Sequence, residues 1–429
     1  MNFKYAILVL ILAGMSFLAL GPAFAQKNYG NTPDEFLPYG NFQVPFKWVF
    51  EEPQPYLGPN RSKPVPTDLK EVRIGFLGPL EGAPETPMGL HMLNGAVLAM
   101  EEANAKGGYR GLPFVMMKHN DVGLWGAAAN EIVKMDDEGV WGVLGSIDDI
   151  NTHVALRVAL KLELPMVNTG DPDPTLTETN IPWIIRVMAD DRQLCYALAR
   201  HMHQEKGIKR VVVMRQANRY GRVGTMEYKD AAQRVGSPPL FELQFAIGDT
   251  DFTPQLERMK RANPEAILIW GNPVESALVV KQIRAMGMNQ PIYGGSRMVL
   301  PEFIEIAGKD AEGIVISTPE NPTLNDPLYL EFKKKYVQRF GTEPDFHASH
   351  AYDGMNILIQ AIQIAGLNRA KIRDVLCDLK TFQFYKGVTG EIIFDATWTD
   401  IGPVWLAQMR QGKYVYWPSP IEKPVPAYQ

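Results

Sequence analysis

Cysteine is almost absent from this chain. Only Cys195 and Cys377 occur among 429 residues, too few for a disulfide framework and without metal-ligand spacing. Positive charge is not in excess either, because 43 Lys and Arg residues face 48 Asp and Glu residues, for a net charge of −5. No basic run interleaved with aromatic residues stands out, so the composition does not favour a nucleic-acid-binding protein.

Familiar catalytic and nucleotide-binding motifs are also missing. The sequence contains no Gly-x-Ser-x-Gly, no Gly-x-x-x-x-Gly-Lys-Ser/Thr and no His-Glu-x-x-His, which are signatures of hydrolases, phosphate loops and zinc proteases. The glycines between Gly75 and Gly82 follow the first predicted strand but lack the Gly-x-Gly-x-x-Gly spacing of a dinucleotide site. We therefore expect neither an enzyme nor a cofactor.

The first 25 residues are typical of a secretory signal. Lys4 precedes an apolar stretch over residues 6–20, and Ala23-Phe24-Ala25 supplies the small residues of a cleavage site before Gln26. A membrane anchor is the alternative, but about 15 apolar residues are few for a span of about 20. No cysteine lies nearby to carry a lipid. We predict a soluble periplasmic protein whose signal peptide is removed after Ala25.

Residues 26–70 form a distinct N-terminal extension. Between residues 27 and 68 the chain carries eight prolines and eight aromatic residues, a proline density that precludes a regular helix or a central strand. The aromatic content is too high for a solvated linker. Two interpretations stay open, namely an irregular strap lying on the main body and a docking segment for another protein.

From Glu71 onward, short apolar runs alternate with amphipathic stretches, the pattern of an α/β fold. Runs such as Val72–Leu77 and Val143–Leu144 are apolar throughout, as strands buried on both faces are. A second series begins near Asp190, and further helices and strands follow it. We expect two α/β lobes that the chain enters more than once, with a ligand crevice at the carboxyl ends of the strands.

Paired aspartates follow two of the predicted strands. Asp148-Asp149 comes after Val143–Leu144, and Asp171-Pro-Asp173-Pro comes after Met166–Val167. Both pairs are expected to project towards the crevice, but carboxylates also cap helices and Asp-Pro is ordinary turn chemistry. Both roles stay open. If the pairs line the crevice, its negative potential favours a cation, an amine or a metal-bearing ligand over a free carboxylate.

Histidines raise the alternative of a metal site. His347-Ala-Ser-His350 with Asp353 has helical spacing that can place ligands on one face, although the pattern favours a helix beginning with surface histidines. His201-Met-His203 is expected to be solvated. A metal chaperone or metal-dependent enzyme would use Asp148, Asp149, His153, His347 and His350.

Short stretches in a fixed order carry a resemblance to a known family. They are Val72–Gly82, Asn94–Ala96, Glu102–Gly108, Asp121, Gly142–Gly145, Leu164–Val167, Ile185-Arg186, Asp191–Gln193, Tyr220-Gly221, Asp251-Phe252, Ala311–Gly313 and Ala351–Gly354. With these stretches, some four-fifths of the chain resembles the extracytoplasmic solute-binding proteins of branched-chain amino-acid ABC importers, of the Leu/Ile/Val-binding protein type.

The resemblance implies a type I periplasmic binding fold, in which two Rossmann-like lobes with parallel-rich sheets are joined by three crossovers and close over a small solute. The crossovers fall near Arg186–Ala189, Ser317–Pro319 and Gly387–Gly390. The implied partner is an ABC permease in the inner membrane. The implied first lobe covers residues 71–188 and 318–388, and the second covers 189–317 and 389–429, the last with the C-terminal tail.

The resemblance also indicates which side chains line the crevice. Family members bind the amino-acid carboxylate with hydroxyl groups and backbone amides of the first lobe, where this chain has Asp149. They hold the ammonium with a glutamate of the second lobe, where this chain has Ser296-Arg297. The expected pocket residues are Glu81, Met88, Asp148, Asp149, Asn168, Asp171, Tyr220, Asn272, Ser296 and Arg297.

These departures argue against leucine, isoleucine or valine in the usual pose. A carboxylate set against Asp149 and Asp171 would be repelled, and Arg297 does not suit an ammonium. Tyr220 keeps an aromatic wall, whereas Asn272 replaces an aromatic residue. The solute is then either bound in reversed polarity or is an amine, an amide or another small organic molecule. A periplasmic accessory or sensor protein, with the extension docking a partner, is the remaining alternative.

Overall fold

The computed structural model describes residues 58–122, 126–179, 181–378, 380–382, 385–395 and 397–419. The predicted signal peptide, the extension up to residue 57 and residues 420–429 lie outside the described residues. Within the described ranges, no helix is long and apolar enough to cross a membrane.

Strands and helices alternate along most of the described chain. The strands are β1 Val72–Gly78, β2 Phe114–Asn120, β3 Val143–Gly145, β4 Met166–Asn168, β5 Ile184–Arg186, β6 Val211–Gln216, β7 Phe241–Phe245, β8 Ala266–Trp270, β9 Ile292–Gly294, β10 Val315–Thr318, β11 Tyr385–Gly387, β12 Gly390–Ile392, β13 Trp405–Arg410 and β14 Lys413–Pro418. The α-helices are α1 Thr86–Ala105, α2 Ala127–Asp137, α3 Asp149–Leu162, α4 Thr175–Glu178, α5 Asp191–Ala199, α6 Arg219–Arg234, α7 Thr253–Ala262, α8 Pro273–Ala285, α9 Pro301–Ala307, α10 Pro327–Phe340, α11 Phe346–Ala365 and α12 Arg369–Cys377.

The first lobe is built on five parallel strands in the order β2-β1-β3-β4-β5. Val72, Ile74 and Phe76 of β1 pack with α1 and α11, while Leu77 packs with α2 and α3 on the other side. Helices cover both faces of the sheet, as a parallel sheet requires, which explains why its strands are apolar throughout.

The second lobe is built on a larger sheet in the order β14-β13-β10-β9-β8-β6-β7. Strands β6 to β10 are parallel. At one edge β13 pairs antiparallel with β10, and β14 pairs antiparallel with β13. Helices α7, α8 and α9 contribute to the core on one face, and α5 and α6 contribute to the core on the other.

The chain passes between the lobes more than once. It leaves the first sheet after β5, returns after β10 to helices that pack on α1, and enters the second sheet again at β13. The first two passages fall at the crossovers expected near Arg186–Ala189 and Ser317–Pro319. The third lies after the one expected near Gly387–Gly390, because Ile392 and Phe394 still pack in the core of the first lobe and β13 begins at Trp405. The exact lobe boundaries taken from the sequence stay a prediction.

Local differences from the sequence interpretation have simple causes. Strand β5 has three residues, too short to show a period, and it occupies the start of an expected crossover. Strand β14 is an edge strand with an irregular burial pattern, so alternation does not reveal it. The second series, which begins near Asp190, opens with α5 followed by a π-helix, Arg200–Glu205.

Candidate functional site

The carboxyl ends of strands from both lobes meet at a cleft. In the first lobe, Asp149 follows β3 and Asp171 follows β4. In the second lobe, Tyr220 follows β6, Asn272 follows β8 and Arg297 follows β9. All five are at least nine-tenths buried. Parallel strands end at one edge of their sheet, and the switch in strand order there opens a crevice.

Asp148 and Asp149, the aspartate pair after β3, have different surroundings. The Asp148 carboxylate caps α3, accepting hydrogen bonds from the backbone N–H of Ile150 and Asn151 at 3.0 and 2.9 Å. Asp149 is the first residue of the helix, and neither of its carboxylate oxygens has a hydrogen-bond partner. Asp148 therefore caps the helix, whereas the carboxylate of Asp149 takes no part in the cap.

Asp149 and Asp171 lie close together. Asp171 accepts a hydrogen bond from the backbone N–H of Asp173 at 2.9 Å, and its second oxygen is buried without a partner. Burial, followed by the charges of Asp171 and Asp173, raises the pKa of Asp149, and burial followed by Asp173 raises the pKa of Asp171. When Asp149 carries a proton it can donate a hydrogen bond to Asp171, so the pair shares one proton instead of holding two negative charges.

Asp191 belongs to the same cluster, although it was not among the expected pocket residues. Its neighbour Asp190 caps α5 by accepting from the N–H of Gln193 at 3.0 Å and pairs with Arg186 at 2.8 Å. Both carboxylate oxygens of Asp191 are buried without a partner. Burial raises the pKa of Asp191, and Arg297 opposes the shift. The signal in the sequence was a second Asp-Asp pair at a helix start.

Arg297 is the cation of the cluster. Its guanidinium carbon lies 3.8 Å from the centroid of the Tyr220 ring, and its Nη1 donates to Asn272 Oδ1 at 2.6 Å. Ser296, which precedes it, is also buried. Gly295 permits this packing, because a Cβ there would lie 2.9 Å from both the Tyr220 hydroxyl and the Trp270 ring. We call Asp149, Asp171, Asp191, Tyr220, Asn272 and Arg297 the cleft cluster.

Direct contacts join the lobes beside this cluster. Arg219, at the start of α6, donates from Nε to Asp173 Oδ2 at 2.8 Å and from Nη2 to Thr175 Oγ1 at 3.1 Å. Asn272 Nδ2 donates to Glu85 Oε1 of the first lobe at 2.5 Å. Burial opposes ionisation of Asp173, but the hydrogen bond with His153 and the charge of Arg219 keep its pKa below the usual range. The lobes are therefore in contact across the cleft.

Three further expected pocket residues have structural roles or lie elsewhere. The Asn168 side chain donates to the carbonyl groups of Gly145 and Ser146 at 3.2 and 2.8 Å, so it holds the two strand-end loops together. Met88 packs in the core of the first lobe. Glu81 is exposed, which disagrees with its expected place in a closed pocket.

The structure does not assemble the alternative metal site. His347 pairs with Asp345 at 3.2 Å, His350 contacts the Phe346 carbonyl oxygen at 2.6 Å, and Asp353 binds the backbone N–H groups of residues 388 and 389 at 2.9 Å. His153 contacts Asp173 at 3.3 Å. Among the described residues, no group of three or more His, Cys, Asp or Glu side chains is arranged to hold a metal ion.

The expectation of solvated or surface histidines is also wrong. His347 and His350 are buried at the start of α11, and His201 and His203 are buried on the π-helix. His203 lies between the Ile208 carbonyl oxygen at 2.7 Å and the Tyr228 hydroxyl at 3.0 Å. Each ring nitrogen of His203 has a polar partner, which makes its burial tolerable.

Comparison with known proteins agrees with this architecture. A family model described as periplasmic binding protein matches residues 71–413. The chain belongs to the periplasmic binding protein family. The Leu/Ile/Val-binding protein homolog 2 of Brucella abortus is 25% identical over 354 residues, covering 82% of this chain and 94% of that protein. The predictions of the family and of a non-enzymatic binding protein are confirmed.

Solved structures show the same fold. A leucine-binding protein from Thermotoga maritima superposes with a TM-score of 0.74 at 26% identity, over 81% of this chain and 97% of that one. A Rhodopseudomonas palustris solute-binding protein in complex with benzoate superposes with a TM-score of 0.73 at 16% identity, over 81% and 96%. The predicted type I fold of the family is therefore confirmed.

Proposed function

We propose that this protein captures a small solute in the interlobe cleft and delivers it to an ABC importer in the inner membrane. The supporting observation is the cleft cluster, in which buried carboxylates without partners face the junction of two hinged lobes. A solute that contacts both lobes stabilises their contact and shifts the population towards the closed form. The chain needs no covalent chemistry for this role.

The solute is not a branched-chain amino acid in the usual pose. Leucine and isoleucine are associated with relatives of this chain, but the hydroxyl position of the family is held here by Asp149. A ligand carboxylate placed there would add a negative charge to Asp149 and Asp171 in a buried site, where like charges repel strongly. Reversed polarity or a different class of solute avoids this repulsion.

A thermal-shift screen tests the proposal. The panel contains amino acids, amines, amides, short organic acids and divalent metals, because a ligand at a hundredfold excess over its Kd stabilises by about 2.7 kcal/mol. The Asp149→Ser variant is the control for location, since the neighbouring Asp148 keeps the helix cap. A cleft ligand loses its shift in the variant, whereas a ligand bound elsewhere keeps it. If no solute shifts the melting temperature, the proposal is wrong.

The proposed compartment is the periplasm, with cleavage of the signal peptide after Ala25. The family is periplasmic, and the sequence Ala23-Phe24-Ala25 has the small residues that signal peptidase requires. Sequencing the N-terminus of the exported protein tests the cleavage site. A mature chain beginning at Gln26 is expected, and a retained leader would contradict it.

A second candidate function is favoured by the attachment of the extension to the first lobe. Asn60 donates from its backbone N–H and its Nδ2 to the Glu163 carboxylate, at 3.1 and 2.6 Å. Arg61 pairs with Asp374, and Asn368 Nδ2 donates to the Arg61 carbonyl oxygen at 3.1 Å. Residues 60 and 61 of the extension are therefore attached to α12 and to the end of α3, which would give a docking arm for a protein partner a fixed base on the first lobe.

Deletion of residues 26–57 separates the two functions. A docking arm predicts that solute affinity is retained and that cross-linking to the importer or another periplasmic partner is lost. The Arg61→Ala variant is the matched control, because it keeps the extension and removes one of its contacts with the first lobe, the pair with Asp374. If the deletion changes neither property, the docking function is wrong.

A further inference from the structure

Each lobe presents one buried aspartate to the cleft in the same way. Asp149 in α3 and Asp191 in α5 are both the first residue of a helix, and each follows an aspartate that already caps that helix. The cap is therefore complete without them. Neither carboxylate accepts a hydrogen bond, although both side chains are buried. Two elements from different lobes thus repeat the same arrangement at the same cleft.

The charges facing these two aspartates do not balance. Asp149 faces Asp171, Asp173, Asp191 and Arg297, and Asp191 faces Asp173, Asp190, Glu227 and Arg297. Asp173 is paired with Arg219, Asp190 with Arg186, and Glu227 with Arg192. Among the described residues, Arg297 is left to balance Asp149, Asp171 and Asp191. A second cation at this place would favour the ionised form of all three carboxyl groups, whose pKa burial raises.

We propose, as a refinement that rests on the proposed solute-binding function, that Asp149 and Asp191 form a two-lobe clamp for a cationic group that donates hydrogen bonds, such as an ammonium or amidinium. Such a group supplies both the missing positive charge and the missing donors. A carboxylate supplies neither and would add to the negative charge. Because one aspartate comes from each lobe, the same contact that recognises the solute also joins the lobes.

The position of Arg297 supports this choice. Its guanidinium lies over the Tyr220 ring and donates to Asn272, so part of its donor capacity is already used within the second lobe. The Tyr220 ring then offers an aromatic surface beside the clamp, and a cation gains from such a ring face as well. An aliphatic or aromatic amine therefore fits the cluster better than an acid does.

The experiment uses the full mature chain and isothermal titration with putrescine, agmatine, benzamidine, leucine and benzoate. The proposal expects at least one of the three cations to bind. It also expects Asp149→Asn and Asp191→Asn each to weaken that binding by about tenfold or more, because a charge-assisted hydrogen bond is lost. The control variant is Asp137→Asn, which makes the same chemical change at an exposed position of α2 and is expected to leave binding unchanged.

A second measurement needs no variant. 1,4-Butanediol has the length of putrescine but no charge, and the clamp predicts that the wild-type chain binds it at least tenfold more weakly. Binding of leucine or benzoate without any of the cations would overturn the clamp and leave solute binding intact. Equal affinity for putrescine and 1,4-butanediol would also overturn it. Failure of every solute class would overturn both the clamp and the proposed function.

Discussion

The guanidinium of Arg297 lies face-on over the Tyr220 ring, 3.8 Å from guanidinium carbon to ring centroid. Tyr220 is the second residue of α6, Arg297 lies in a short 3-10 helix after β9, and both are buried. A buried cation over an aromatic face is worth about 2 kcal/mol. The pair therefore fixes the one positive charge that the cleft cluster contains.

Removing the ring of Tyr220 is expected to destabilise the second lobe. Tyr220→Leu loses the cation–ring contact and part of the buried volume, so the free energy of unfolding falls by about 1–3 kcal/mol. Tyr220→Phe keeps the ring over Arg297 and is expected to cost less than Tyr220→Leu. Urea denaturation followed by circular dichroism measures both. Equal losses in the two variants would show that the ring face does not matter.

The contact between Arg219 and Asp173 is expected to hold the lobes together in the absence of solute. Arg219→Gln removes the charge that crosses the cleft, so the population shifts towards an open form with a larger radius of gyration. Small-angle scattering of the solute-free chain measures this change. Arg222→Gln alters an exposed arginine of the same helix and is expected to have no effect. An unchanged radius in Arg219→Gln would contradict the prediction.

The sequence was sufficient for the two-lobed fold because buried parallel strands are apolar throughout and amphipathic helices separate them. It also placed Asp149, Asp171, Tyr220, Asn272 and Arg297 at strand ends, and the structure brings these five side chains together. Their pocket role stays a prediction. Glu81 and Met88 were placed by their loop alone, and a loop position does not determine which way a side chain turns.

Other features depend on contacts between distant segments. Asp190 and Asp191 cannot be told apart from the sequence. In the structure, Asp190 accepts a hydrogen bond from the Gln193 N–H and forms an ion pair with Arg186, and the carboxylate of Asp191 has neither contact. The contact of Arg219 with Asp173 joins residues 46 positions apart. The spacing of apolar residues shows which face of a single helix or strand is buried. It does not show which helices of the two lobes contact each other.

Binding of a cation in the cleft is expected to strengthen as pH rises. Burial raises the pKa of Asp149 above its ordinary range and that of Asp171 to about 6, so the pair still holds a proton at a pH where exposed aspartates are ionised. A bound ammonium favours the ionised pair and releases that proton. Putrescine affinity should therefore rise between about pH 5 and pH 8. Isothermal titration with putrescine in two buffers of different ionisation enthalpy measures the number of protons released on binding.

The control for this prediction is the Asp171→Asn variant. It leaves Asp149 without the neighbouring carboxylate that helps to raise its pKa, so the rise in affinity should move to lower pH. A putrescine affinity that is constant over the whole range would contradict proton displacement.

Substitution of Gly58 is expected to release the extension from the first lobe. Gly58 has a φ of +86°, and a Cβ there would lie 2.4 Å from Glu163 Oε2. Gly58→Ala is therefore strained both by its backbone and by its contact. Faster hydrogen exchange at the Asn60 amide, which donates to Glu163 at 3.1 Å, is the expected result. Gly107→Ala is the control, because Gly107 also has a positive φ but open space around its Cβ, and it should not affect Asn60.

Glu320 is expected to make the stability of the fold depend on pH. This buried side chain follows β10, accepts a hydrogen bond from Ser349 and has its pKa raised to about 7 by burial. In the unfolded chain the pKa of a glutamate is about 4.3. Between these two values the folded state binds more protons than the unfolded state, so the contribution of Glu320 is full below about pH 4.3 and is lost as pH rises to about 7.

The Glu320→Gln variant isolates this contribution, because its amide stays neutral and its oxygen can still accept from Ser349. The free energy of unfolding of the variant, relative to the wild type, should increase by on the order of 1–3 kcal/mol between about pH 4.5 and pH 7.5. Glu305→Gln, an exposed position in α9, should show no such increase. Urea denaturation at each pH measures the free energy of unfolding of both proteins. If this free energy changes with pH in the same way in the wild type and in Glu320→Gln, Glu320 is ionised in the folded protein over the whole range and the prediction is wrong.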